Sequence, residues 1–142
     1  MRLLTVAYSM TAAACLTLAA VHLLVWFKQP ARRTHLAFSL TAIFVAAITP
    51  FELAMAQAQT PGQYIQALRW FHVPAGFTIG SIVWFLWVYF RAGRRWLAFA
   101  VWGSRVLVLV LNFSLTENIN FKEITSVRQV ALFGGESASA AV

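Results

Sequence analysis

Charge is scarce in this sequence. Only 11% of its 142 residues are Asp, Glu, Lys or Arg, where about a quarter of an average soluble chain is charged. A soluble domain of this length needs far more polar surface, so that class is excluded. The single cysteine, Cys15, lies inside the first apolar run; it permits no internal disulfide and argues against redox chemistry. There is no glycine-rich phosphate loop, no Cys/His metal spacing and no nucleophile elbow. No apolar run carries an interior lysine, which removes a retinal Schiff base. The chain reads as non-catalytic, and no metal or other cofactor is expected.

What is abundant is hydrocarbon. Hydrophobic residues make up 61% of the chain and aromatic ones 15%, in long runs rather than in a helical stripe. Runs of about 20 apolar residues cross roughly 30 Å of hydrocarbon as helices. The expected fold is an all-α membrane bundle: a region 1–115 with spans at about 3–27, 36–58, 64–90 and 96–115, then a segment 116–142. A signal peptide competes for the first run. That run outlasts a typical h-region, its main positive charge follows it, and "TAAAC" is a poor lipoprotein box. The segment 116–142 has amphipathic content over 121–133 and then a Gly-Gly break, and reads as either a short surface helix or a loop.

The net charge of +7 suggests nucleic acid at first sight. Its distribution argues otherwise, because the cations sit in linkers between oily runs. Lys28, Arg32 and Arg33 join the first two spans, and Arg91, Arg94 and Arg95 join the last two. Such clusters set orientation and meet anionic head groups. The loop between them, "QAQTPGQY", carries no charge. The positive-inside rule then predicts an outer N-terminus, cytoplasmic arginine linkers and an extracytoplasmic tail. Trp26, Tyr89 and Trp96 fall at the inner interface of this arrangement, and Tyr64 and Trp70 at the outer one.

Ionisable groups inside a span cost roughly 2.5–3.5 kcal/mol each on insertion scales, so they are functional candidates. At about 1.5 Å per residue, Glu52, His72 and Asn112 each lie roughly 24–27 Å up their helices, with Arg69 about one turn beyond. Arg105 starts lower but can reach upward along its own stem. Pro50 and Pro74 share the layer and free the carbonyls of Ala46 and Trp70. Glu52, Arg69, His72, Arg105 and Asn112 are therefore the expected lining of a small polar pocket. The competing reading pairs Glu52 with Arg105 as a structural tie, with Arg69 and His72 at the lipid interface. Gly76 and Gly80, four apart, favour close helix packing. His22 and His35 have the placement a bis-histidyl haem requires, but interfacial histidines explain them more simply.

The stretches "LLVWFKQPARRTHLAFSL", "PFELAMAQAQTP", "LRWFHVPAGF", "WVYFRAGRRWLAF" and "LNFSLTENINFKEI" together resemble one family. It is the N-terminal sensor region of bacterial seven-transmembrane histidine kinases of the alphaproteobacterial type. The resemblance implies an inner-membrane location, a fold of seven helices with the N-terminus outside, and a cytoplasmic kinase core. This sequence would be such a region cut after four spans, with Glu52 and the Arg69/His72/Pro74 group at sensor-motif positions. The function expected is signal input to a two-component system, with lipid, a second copy or larger membrane assembly, and an unidentified small molecule as partners. The alternative is a small accessory subunit within a larger membrane complex.

Overall fold

The computed structural model describes residues 2–90, 95–115, 124, 126–131 and 137–141. Four helices dominate it: α1 (Arg2–Lys28), α2 (Arg33–Gln57), α3 (Pro61–Phe90) and α4 (Arg95–Ser114). All four are long and apolar enough to cross a membrane. The chain is an all-α, multi-pass membrane protein. Both α2 and α3 begin ahead of their apolar runs, because polar first turns still wind helically. Pro61 opens α3, where its fixed φ suits the first turn and its missing N–H costs nothing. Thr60 caps that turn by accepting the Gln63 N–H at 3.3 Å, while Gln63 Oε1 reaches back to the Gln59 N–H at 3.0 Å.

The helices pack in chain order. α1 lies on α2 and α2 on α3 along broad seams, and α4 meets α3 along a narrower one; no comparable seam joins α1 to α4 among the described residues. Lipid is as apolar as leucine, so burying oil does not drive this association; close backbone approach and interhelical hydrogen bonds do. The buried positions fit that rule, since Ala19, Ala37, Ser39, Ala42, Ala46 and Ser81 are all small. Ser39 donates to the Ala19 carbonyl of α1 at 2.8 Å, and Thr41 donates to Ser81 of α3 at 3.1 Å. Phe44 and Phe77 stack across the α2–α3 seam with centroids 5.1 Å apart.

The glycine pair sits at the α3–α4 seam. A Cβ at Gly80 would fall 2.6 Å from the Trp102 ring, and one at Gly76 would touch Leu109 at 3.6 Å. Gly80 is thus what lets the indole lie flat against α3.

The segment 116–142 differs from the surface helix or loop read from its sequence. Its described part is a two-stranded antiparallel sheet, β1 (Val127–Ala131) with β2 (Ser137–Ala141), in the register Val127↔Ala141 to Ala131↔Ser137. An isolated helix of about 13 residues is marginal in water, whereas Val127 and Val130 favour strands and Gly134-Gly135 is a hairpin-turn sequence. The sheet also gains a docking partner. Gln129 donates to Ser139 Oγ at 2.8 Å, and Ser139 donates to the Ala58 carbonyl at 2.6 Å. The α2 C-terminus thereby finds a donor for a carbonyl that the helix leaves open.

Two glycine substitutions test the α3–α4 seam. Gly80→Ala overpacks it and lowers stability by about 1–3 kcal/mol. Gly103→Ala on α4 meets nothing within 4 Å and is expected to stabilise by up to ~1 kcal/mol. Loss of helicity on detergent titration in mixed micelles measures both.

Candidate functional site

Pro50 lies inside α2 and Pro74 inside α3. Neither has the N–H that would bond the carbonyl four residues back. Hydrocarbon supplies no replacement donor, and an unmet group there costs several kcal/mol. On α2 a side chain fills the gap. Thr49, next to Pro50, donates its buried hydroxyl to the Ala46 carbonyl at 2.8 Å. On α3 the turn before Pro74 is held twice. His72 Nδ1 donates to the Leu68 carbonyl at 2.7 Å, a contact that fixes the proton on Nδ1 because a carbonyl only accepts. Asn112 Nδ2, from α4, donates to the Arg69 carbonyl at 2.9 Å. Arg69 in turn donates to the Leu115 carbonyl at the end of α4, at 3.2 Å.

Asn112 is fully buried, and its Oδ1 has no hydrogen-bond donor among the described residues. Arg105 is half-buried, with its Nε enclosed and likewise unbonded among the described residues. The five residues expected to line one pocket are therefore divided. Arg69 and Asn112 meet at the α3–α4 seam, and His72 bonds its own helix. Glu52, half-buried near the end of α2, has Tyr8 of α1 as its electrostatic neighbour. No hydrogen bond or ion pair among the described residues joins Glu52 to Arg105 or Asn112.

The open volume lies elsewhere, one helical turn towards the hairpin. A cleft of about 390 Å³ separates the end of α2 from the start of α3 and is lined by Phe51, Gln57, Ala58, Gln63, Gln66 and Trp70 among others. Its size is that of an ordinary small-molecule site. Its walls combine two aromatic rings with three carboxamides and carry no charged side chain. No hydrogen bond among the described residues engages the carboxamides of Gln57 or Gln66. The cleft suits an uncharged ligand with donors, acceptors and a flat or apolar body. The glutamines were legible as a signal, since four fall between positions 57 and 66, but there they read only as part of a loop that carries no charge. Phe51 adjoins Pro50, and Trp70 owns the carbonyl that Pro74 leaves without its N–H. The cleft lining therefore begins one residue from Pro50 and one helical turn from Pro74.

At the other end, His22 of α1 and His35 of α2 form a direct tie, with their Nδ1 atoms 2.9 Å apart. One ring donates and the other accepts, so no iron fits between these two nitrogens. Lys28, Arg32, Arg33 and Arg95 are exposed, while Arg91 and Arg94 lie outside the described residues.

Compared with protein-family models, with curated proteins and with solved structures, the chain finds no match. Its functional reading rests on its residues and their geometry.

The proline caps are open to a cycle of substitutions. Thr49→Val keeps the side-chain volume, removes the donor to Ala46, and is expected to cost about 0.6–1.7 kcal/mol. In a Pro50→Ala background the restored N–H at position 50 takes over, and Thr49→Val becomes close to neutral. Unfolding in mixed micelles reads the coupling, and equal costs in both backgrounds contradict the capping role.

Proposed function

We propose that the chain is the membrane-embedded signal-input region of a two-component histidine kinase in a bacterial inner membrane. The N-terminus and the hairpin face outward in this reading and the arginine linkers face the cytoplasm. The chain performs no chemistry itself. The observation that carries the proposal is the position of the uncharged cleft, between two proline-bearing helices at the outer end. A ligand changes a conformational equilibrium only by binding one arrangement better than another. A small uncharged molecule wedged between Phe51 and Trp70 pushes on the two proline-interrupted helices, α2 and α3. The five stretches that resemble the kinase sensor family support the same conclusion.

A second reading is supported by a separate observation. Only 6% of the core window of α1 and of α4 is buried within the chain, against 28% for α2 and α3. Outer helices this bare also suit an accessory subunit packed into a larger membrane complex.

A tag on the N-terminus of the chromosomal copy separates the two. With labelled ATP added to membranes, the sensor reading expects a tagged polypeptide far larger than 15.8 kDa that carries acid-labile phosphate. An unlabelled band of that small mass, eluting in fixed proportion with a larger membrane complex, shifts the assignment to the subunit.

A further inference from the structure

A second cavity, of about 470 Å³, opens between α3 and α4 at the arginine-bearing end. Val83, Trp84, Trp87, Phe99 and Trp102 form its walls, and Arg95 stands among them. The walls face the hydrocarbon: Phe99 is 75% exposed, Trp87 41% and Trp102 38%. The Gly80 contact places Trp102 flat on α3. From Arg95 to Trp102 the groove runs roughly 10 Å along α4, from the interface into the hydrocarbon.

Among the described residues the cation at its mouth meets no counter-charge. The sequence contains no aspartate and only four glutamates: Glu52, Glu117, Glu123 and Glu136. None lies within α3 or α4. The one carboxylate among the described residues, Glu52, is roughly 28 Å along α2 from Arg33, at the hairpin end. None of the described residues supplies Arg95 with an anion. An apolar, aromatic-walled slot in the bilayer with an unneutralised guanidinium at the interface matches one class of molecule in both parts.

We propose that this groove binds one anionic phospholipid, its acyl chain along Trp84, Trp87 and Trp102 and its phosphate on the Arg95 guanidinium. Guanidinium forks pair with phosphate oxygens in a planar, two-bond geometry that an ammonium cannot copy. Indoles supply a rigid wall that loses little freedom when a chain lies against it. The proposal does not depend on the signal-input reading, because neither the groove nor Arg95 takes part in the outer cleft.

The test uses the full chain in phosphatidylcholine nanodiscs containing a small fraction of phosphatidylglycerol brominated on its acyl chains. Bromine quenches tryptophan on contact, and three of the six tryptophans line the groove. Brominated phosphatidylglycerol is expected to quench about five-fold more effectively than brominated phosphatidylcholine, the ratio that ~1 kcal/mol per basic side chain at an anionic surface produces. Trp87→Phe is expected to remove a large share of that difference. Arg95→Gln brings the two lipids level, Arg95→Lys keeps part of the preference, and Arg128→Gln, in the hairpin, leaves it intact. Equal quenching by both lipids in the unaltered chain overturns the proposal, as does a preference that survives Arg95→Gln. Groove tryptophans shielded from both lipids overturn it too, and assign the groove to a protein segment. Should Arg95→Gln fail to fold by its helicity, a salt titration of the unaltered chain decides, since a preference that does not weaken as salt screens Arg95 contradicts the phosphate contact.

Discussion

A carbonyl in hydrocarbon must find a donor within the protein, and that single requirement places most of the polar residues in these spans. Two prolines would leave gaps in the helical ladder at the same depth. Thr49 closes one from the next position in the chain. His72 and Asn112 secure the turn before the other, one from the same helix and one from the next. Residues that look costly in an apolar sequence are therefore stabilising where they stand. Removing the Thr49 hydroxyl leaves the Ala46 carbonyl unmet, which costs more than the polar side chain did.

The same logic explains how the helices hold together. With no hydrophobic gain from leaving lipid, the seams rely on backbone proximity and on hydroxyls that donate across them. Ser39 reaches the Ala19 carbonyl, Thr41 reaches Ser81, and His22 ties to His35. α1, α2 and α3 are joined in this way near the arginine-bearing end. α4 is joined differently, with Trp102 resting on Gly80 and Asn112 bonding the Arg69 carbonyl.

The spans were legible because their lengths follow from bilayer thickness, and that constraint leaves its mark on every stretch of sequence. Depth was legible for the same reason: Arg69 and Asn112 do meet. Azimuth was not. Glu52 shares their level, yet it neighbours Tyr8 of α1 while they occupy the α3–α4 seam, because helix rotation is set by packing that no residue count records. The cleft escaped notice for a related reason. Gln57, Gln63 and Gln66 sit at helix ends, where polar residues are ordinary, and only the backbone brings them around one space with Phe51 and Trp70. In the tail, amphipathic content left a surface helix or a loop open, whereas the described part is a strand pair with a docking point on Ala58, and a lone short helix is marginal in water.

The two ends of the molecule have opposite electrostatic character, and this bears on how a signal could pass. The hairpin end offers a cleft without charge, bounded by two proline-bearing helices. The arginine-bearing end carries cations with no described carboxylate near them, and such groups hold to an anionic surface. On the proposed signal-input reading, a bundle held at its arginine-bearing end would convert a push at the cleft into relative helix movement. α4 is the element best placed to carry that movement. Its bond from Asn112 reaches into the turn before Pro74, so any displacement of that turn by an occupant of the cleft pulls on α4 directly. Its contact through the Trp102 ring on Gly80 is close packing, with a Cβ at Gly80 falling 2.6 Å from the ring, so α3 and α4 move together at that level.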